Sequence, residues 1–67
     1  MFIEFNERLI NLYYLNDVYA REEMDGGITY YYAICELVNG ACIKEEFDTL
    51  QDAENKVKAV KGKLNIL

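Results

Sequence analysis

Residues 28–48 read Ile28-Thr-Tyr-Tyr-Tyr-Ala-Ile-Cys-Glu-Leu-Val38, then Asn39-Gly40, then Ala41-Cys-Ile-Lys-Glu-Glu-Phe47-Asp48. The rest of the chain is built around this stretch. Asn-Gly between two β-rich runs is a strong hairpin signal, because both central residues of a type I′ turn need positive φ. The first arm is rich in tyrosine and β-branched residues, which suit a pleated surface. A two-residue loop sets Val38 opposite Ala41, Glu36 opposite Ile43, Ile34 opposite Glu45 and Tyr32 opposite Phe47. One face then carries Ile28, Tyr30, Tyr32, Ile34, Val38, Ile43 and Phe47, and its bulk predicts that it is the core face. The other carries Thr29, Tyr31, Ala33, Cys35, Leu37 and Cys42, with Lys44 and Glu46. A wet sheet face normally alternates with polar residues, and this one is apolar over its middle. Thr29, Tyr31, Ala33, Cys35, Leu37 and Cys42 are therefore the predicted interface.

Toward the N-terminus, Phe2-Ile-Glu-Phe-Asn6 alternates as a short strand with Ile3 and Phe5 on one face. Asn6-Glu7-Arg8 is a tight turn, and residues 9–12 return with Ile10 and Leu12 together. Residues 13–16 have no period and read as a bend or bulge from which Leu15 plugs the core. Residues 17–23 form a third strand, and Asp25-Gly26-Gly27 is a second turn signal. At the other end, Asp48 or Thr49 caps a helix, with Gln51 or Asp52 three residues on. Leu50, Ala53, Val57, Val60 and Leu64 form one apolar stripe. Asp52 with Lys56 and Glu54 with Lys58 are i, i+4 pairs. Ile66 and Leu67 add an apolar tail. The fold class is thus α+β: an antiparallel β-meander of four to five strands with one C-terminal helix packed on one face. The strands span about residues 2–6, 9–12, 17–23, 28–38 and 41–47, and the helix about 49–64, all in one domain, 1–67.

A chain of 67 residues has room for one small core, and such a core rarely supplies more than ~3–5 kcal/mol. A hydrophobic content of 52% is too high for a disordered chain. No apolar run reaches the length of a membrane span. Met1-Phe-Ile-Glu-Phe-Asn6 carries an early acid and no basic stretch, unlike a secretory signal. The expected compartment is the cytoplasm, bacterial or that of a host if the gene is phage-borne.

With two cysteines and no histidine, the chain lacks the ligands of a structural zinc site. On the two-residue loop, Cys35 and Cys42 share a sheet face on a diagonal and are read as free, structural thiols. Cys35 has no histidine base, and no phosphate loop, serine elbow or dinucleotide fingerprint appears. No enzyme activity, metal or cofactor is expected. Net charge is −5, and all twelve acids fall within residues 1–54. The lysines Lys56, Lys58, Lys61 and Lys63 complement the helix macrodipole. Such a balance repels nucleic acid. Tyr30 and Tyr32 are read as core residues with hydroxyls at the rim, and Tyr31 as a contact residue.

The order strand–Asn6-Glu-Arg-Leu-Ile-Asn-Leu12–strand–strand–Asn39-Gly40–strand–Phe47-Asp-Thr49–helix resembles a class of tiny, uncharacterised bacterial and phage β-meander-plus-helix proteins. It is also similar to the small flagellar-operon proteins of the FlbD type, in which an Asn-Gly turn joins the last two strands before a C-terminal segment. Asn39-Gly40 matches that turn, and Asn6, Leu9 and Asn11 fall at similar places. The resemblance implies a bacterial or phage origin and a non-enzymatic role, and it transfers no functional residue.

The expected function is a small protein-interaction module that self-associates as a dimer through its exposed sheet face. One alternative is a phage-encoded acidic inhibitor that binds a host protein through its negative sheet edges. The other is a small ligand-binding domain with a pocket between helix and sheet.

Overall fold

The computed structural model describes residues 1–65. The expected apolar tail, Ile66 and Leu67, lies outside them. The order is β1 (Phe2–Phe5), β2 (Arg8–Asn11), a 3-10 turn (Leu12–Tyr14), β3 (Leu15–Asp25), β4 (Ile28–Leu37), β5 (Cys42–Phe47) and α1 (Leu50–Leu64). The fold is α+β, with all strand pairs antiparallel. The five strands fall into two sheets, a β1-β2 hairpin and a β3-β4-β5 meander.

Each turn follows from local chemistry. Asn6 and Glu7 adopt φ of 49° and 64°, so the primed turn falls here. A left-handed glutamate costs about 1–2 kcal/mol. Tertiary hydrogen bonds offset it: Asn6 N–H donates to Glu45 Oε1 at 2.8 Å, and Asn6 Nδ2 donates to the Lys44 carbonyl at 2.8 Å. Between Leu15 and Asp17 the β3–β4 register shifts, a bulge where the sequence loses its period.

At Asn39-Gly40 the structure corrects the two-residue loop. Leu37 N–H donates to the Ala41 carbonyl at 2.8 Å and Gly40 N–H to the Leu37 carbonyl at 2.9 Å. Only Gly40 is left-handed there, with φ of 90°. The loop is therefore Val38-Asn39-Gly40, a tight turn followed by a glycine bulge, and Asn39 Oδ1 accepts from Ala41 N–H at 3.0 Å. Glu36 now pairs with Cys42, Cys35 with Ile43 and Ile34 with Lys44. A slip of one residue moves every β5 side chain to the other face. Ile43 and Phe47 join Ala33 and Cys35, while Cys42 and Lys44 join Ile34. The two cysteines lie on opposite faces, both as free thiols, and Cys42 is exposed rather than structural.

The covered face is the one predicted to be open. Ala33 and Cys35, both 0% exposed, and Val18 form its floor, with Leu15, Ala20, Leu37, Ile43 and Phe47 around them. Small side chains at the centre of that floor let the helix approach closely, whereas a floor of tyrosines would hold it away. Above it lie Val57 and Val60 of α1, Ile3, Phe5 and Ile10 of the N-terminal hairpin, and Leu12, which opens the 3-10 turn rather than ending the second strand. Tyr30 and Tyr32 are only half-buried on the opposite face, and Ile28 and Val38 are exposed.

The helix forms as its stripe dictates. Thr49 is the N-cap, its hydroxyl accepting from Asp52 N–H at 3.1 Å. Ala53, Val57 and Val60 are buried, and Leu50 and Leu64 are half-buried. Lys56 reaches away from Asp52: its ammonium donates to the Glu4 carbonyl at 3.0 Å and lies 3.9 Å from Glu45 Oε1. It also sits over the Phe5 ring, 5.4 Å from the centroid. One cation thereby ties the helix to both sheets. Among the described residues no helix is long and apolar enough to cross a membrane.

Candidate functional site

On the meander, the face turned away from α1 carries no covering element among the described residues. The register fixes its composition in rows across the strands. Asp17, Glu36 and Cys42 form the row nearest the Asn39-Gly40 loop. Next come Tyr19, Ile34 and Lys44, then Arg21, Tyr32 and Glu46. Beyond the end of β5 the β3–β4 hairpin continues as a two-stranded ribbon, where Glu23 pairs with Tyr30 and Asp25 with Ile28. The ribbon ends at Gly26 and Gly27, left-handed at φ of 59° and 79°.

Along β4, this face is a file of Ile28, Tyr30, Tyr32 and Ile34. Ile34 is 1% exposed although it lies outside the core cluster. Its cross-strand neighbours are Tyr19 and Lys44, and its neighbours along the file are Tyr32 and Glu36. The Tyr30 and Tyr32 rings stack, with centroids 6.4 Å apart and planes 21° from parallel. Lys44 Nζ lies 5.1 Å from the Tyr32 ring centroid and donates to both Glu23 carboxylate oxygens, at 2.9 and 3.2 Å. Arg21 Nε approaches Glu23 Oε1 at 3.6 Å. These half-exposed ion pairs add little stability. They do hold the aromatic file in one arrangement, which lowers the ordering cost of any contact it makes.

The predicted interface residues are not brought together as a surface. Ala33 and Cys35 are buried under the helix, and Leu37 packs against the same core. Thr29 and Tyr31 are half-buried near the ribbon, on the helix side. Cys42 alone is exposed, on the opposite face. The open surface belongs instead to Tyr19, Arg21, Ile28, Tyr30, Tyr32, Lys44 and Glu46, with Ile34 buried among them. A three-residue loop would have marked them, since it collects Ile43 and Phe47 with the small apolar residues of β4.

Burial pushes the Cys35 thiol up to about 11, with nearby Lys56 opposing and Glu45 adding to the shift. A thiol so held is protonated and inert at neutral pH. Two surface concavities lie elsewhere. One, of about 440 Å³, is polar and lined by Glu4, Asn6, Glu7, Glu45, Lys56 and Lys63. The other, of about 410 Å³, is a shallow apolar depression between Tyr14, Leu37, Val38 and Asn39. The helix–sheet interface, where the ligand-binding alternative would need a pocket, is packed with Val57, Val60, Ala33 and Cys35. Among the described residues no group of three or more His, Cys, Asp or Glu is arranged to hold a metal ion.

No protein-family model, curated protein or solved structure matches this chain.

Proposed function

We propose that the protein is a small, non-enzymatic interaction module that self-associates through its open sheet face. The observation that supports this reading is the file Ile28, Tyr30 and Tyr32, which no other element covers among the described residues and which charges of both signs rim. Tyrosine offers a large contact area with few rotatable bonds and is enriched at interface centres. Two such faces meeting would extend a core too small to be comfortable alone. Nothing in this reading calls for a cofactor or a membrane, and the acids of the face disfavour nucleic acid.

The test is molar mass in solution at tens of micromolar, for the wild-type chain and for Tyr32→Glu. The expected result is a dimer that the substitution converts to a folded monomer. A wild-type chain that stays monomeric up to hundreds of micromolar refutes self-association. A second reading, an acidic inhibitor of another protein, draws on the ribbon, where Glu23 and Asp25 lie beyond the end of β5 and Glu22 sits level with its last residue. It requires a basic partner and association that weakens steeply with salt.

A further inference from the structure

We infer that two copies pair with their open faces together about a two-fold axis running along β4, strands aligned, so that Arg21 of each copy meets Glu46 of the other. This inference rests on the self-association just proposed and specifies its geometry.

The pattern of the face carries it. Arg21 and Glu46 occupy the two outer strands of one row, with Tyr32 between them. At a strand spacing of about 4.8 Å they are about 10 Å apart and do not pair within one copy. A two-fold axis along β4 lays β3 of one copy over β5 of the other and β4 over β4. Every row then meets its own row. Arg21 faces Glu46 twice, once on each side of the axis. Tyr19 faces Lys44 twice, packing on its aliphatic stem while the ammonium stays with Glu23 beside the Tyr32 ring. Tyr32, Tyr30 and Ile28 meet their own counterparts along the axis, above buried Ile34, so exposed Ile28 gains cover. Face-to-face sheets with nearly aligned strands are a common packing, and an isologous contact needs only one self-complementary patch.

The reversed arrangement, with the axis across the strands, is poorer. It sets Tyr19 over Arg21, Lys44 over Glu46 and Asp17 over Glu23, each twice. Two like-charge contacts replace the single one in the aligned arrangement, where Glu36 meets Glu36. There the Glu36 carboxylate already accepts from Asn16 Nδ2 at 2.7 Å, in the row at the sheet's end.

Charge reversal tests the geometry. Arg21→Glu alone and Glu46→Arg alone each create two like-charge contacts per dimer, and each should weaken dimerisation at least about tenfold. An equimolar mixture of the two single variants forms heterodimers in which both contacts are again opposite in sign, so dimers should reappear. The double variant should also pair like the wild type. Glu36→Gln, which removes the one like-charge contact, should tighten the dimer. Arg21 and Glu46 are exposed, and circular dichroism checks that each variant is folded. If the wild type dimerises and Tyr32→Glu abolishes it, yet the mixture is no tighter than its components, this geometry is wrong and the interaction surface stands. If the wild type is monomeric, both fall.

Discussion

The two cysteines report which face of the meander is covered. Cys35 lies under the helix and Cys42 lies exposed, on opposite sides of the same sheet. Iodoacetamide at pH 8 therefore meets one accessible thiol and one that must wait for the domain to open. A core of this size supplies about 3–5 kcal/mol, and every ~1.4 kcal/mol is a factor of ten in population. Cys35 is then uncovered in roughly one molecule in a hundred to one in a few thousand, and its labelling should lag Cys42 by that ratio. The assay is peptide mass spectrometry over time, on the Tyr32→Glu chain so that association does not shield Cys42. Guanidinium-unfolded protein serves as the reference in which both react alike. Equal rates in the folded protein, or a faster Cys35, would place the helix on the tyrosine face and refute the register argued above.

Two further outcomes follow from local features. Cys35 binds its proton more tightly folded than unfolded, its pKa raised from 9.0 to about 11. Its contribution is complete below pH 9 and is lost as pH rises from 9 through about 11. Urea midpoints of the wild type should fall faster than those of Cys35→Ala across that window, and parallel curves would contradict the burial. Gly40→Ala should cost ~1 kcal/mol in urea unfolding, because its φ is 90° and a Cβ there meets nothing within 4 Å, leaving backbone strain as the only cost. No change in midpoint would mean that Gly40 is not left-handed.

Much of this architecture can be read from residue order. The helix is legible because Leu50, Ala53, Val57, Val60 and Leu64 repeat at helical spacing behind a threonine cap. The alternation of Ile3 with Phe5 and of Ile10 with Leu12 marks the buried side of the first hairpin. The bulge at Leu15–Asp17 falls where periodicity lapses. What misleads is Asn39-Gly40. The same dipeptide closes a two-residue primed turn or the last two places of a three-residue loop, and nothing local separates them. The choice is made by packing. Only the longer loop gathers Ile43, Phe47, Ala33 and Cys35 beneath Val57 and Val60. One residue of loop length therefore inverts the assignment of both faces, and with it the candidate surface. The primed geometry appears instead at Asn6-Glu7, where glutamate would not suggest it, because the Asn6 contacts to β5 stabilise the turn from outside.

The clasp between Asn6 and β5 has a temporal side. Phe5, fully buried, is covered by a core that includes Val57 and Val60, some fifty residues later in the chain. During synthesis the first hairpin emerges long before the segment that shelters it. The β3–β4 ribbon closes through near neighbours in sequence, whereas the opening strands gain their full cover only when the helix docks. Translation pauses ahead of residue 50 would lengthen that vulnerable interval, and proteolysis of stalled chains should cut first within residues 2–11.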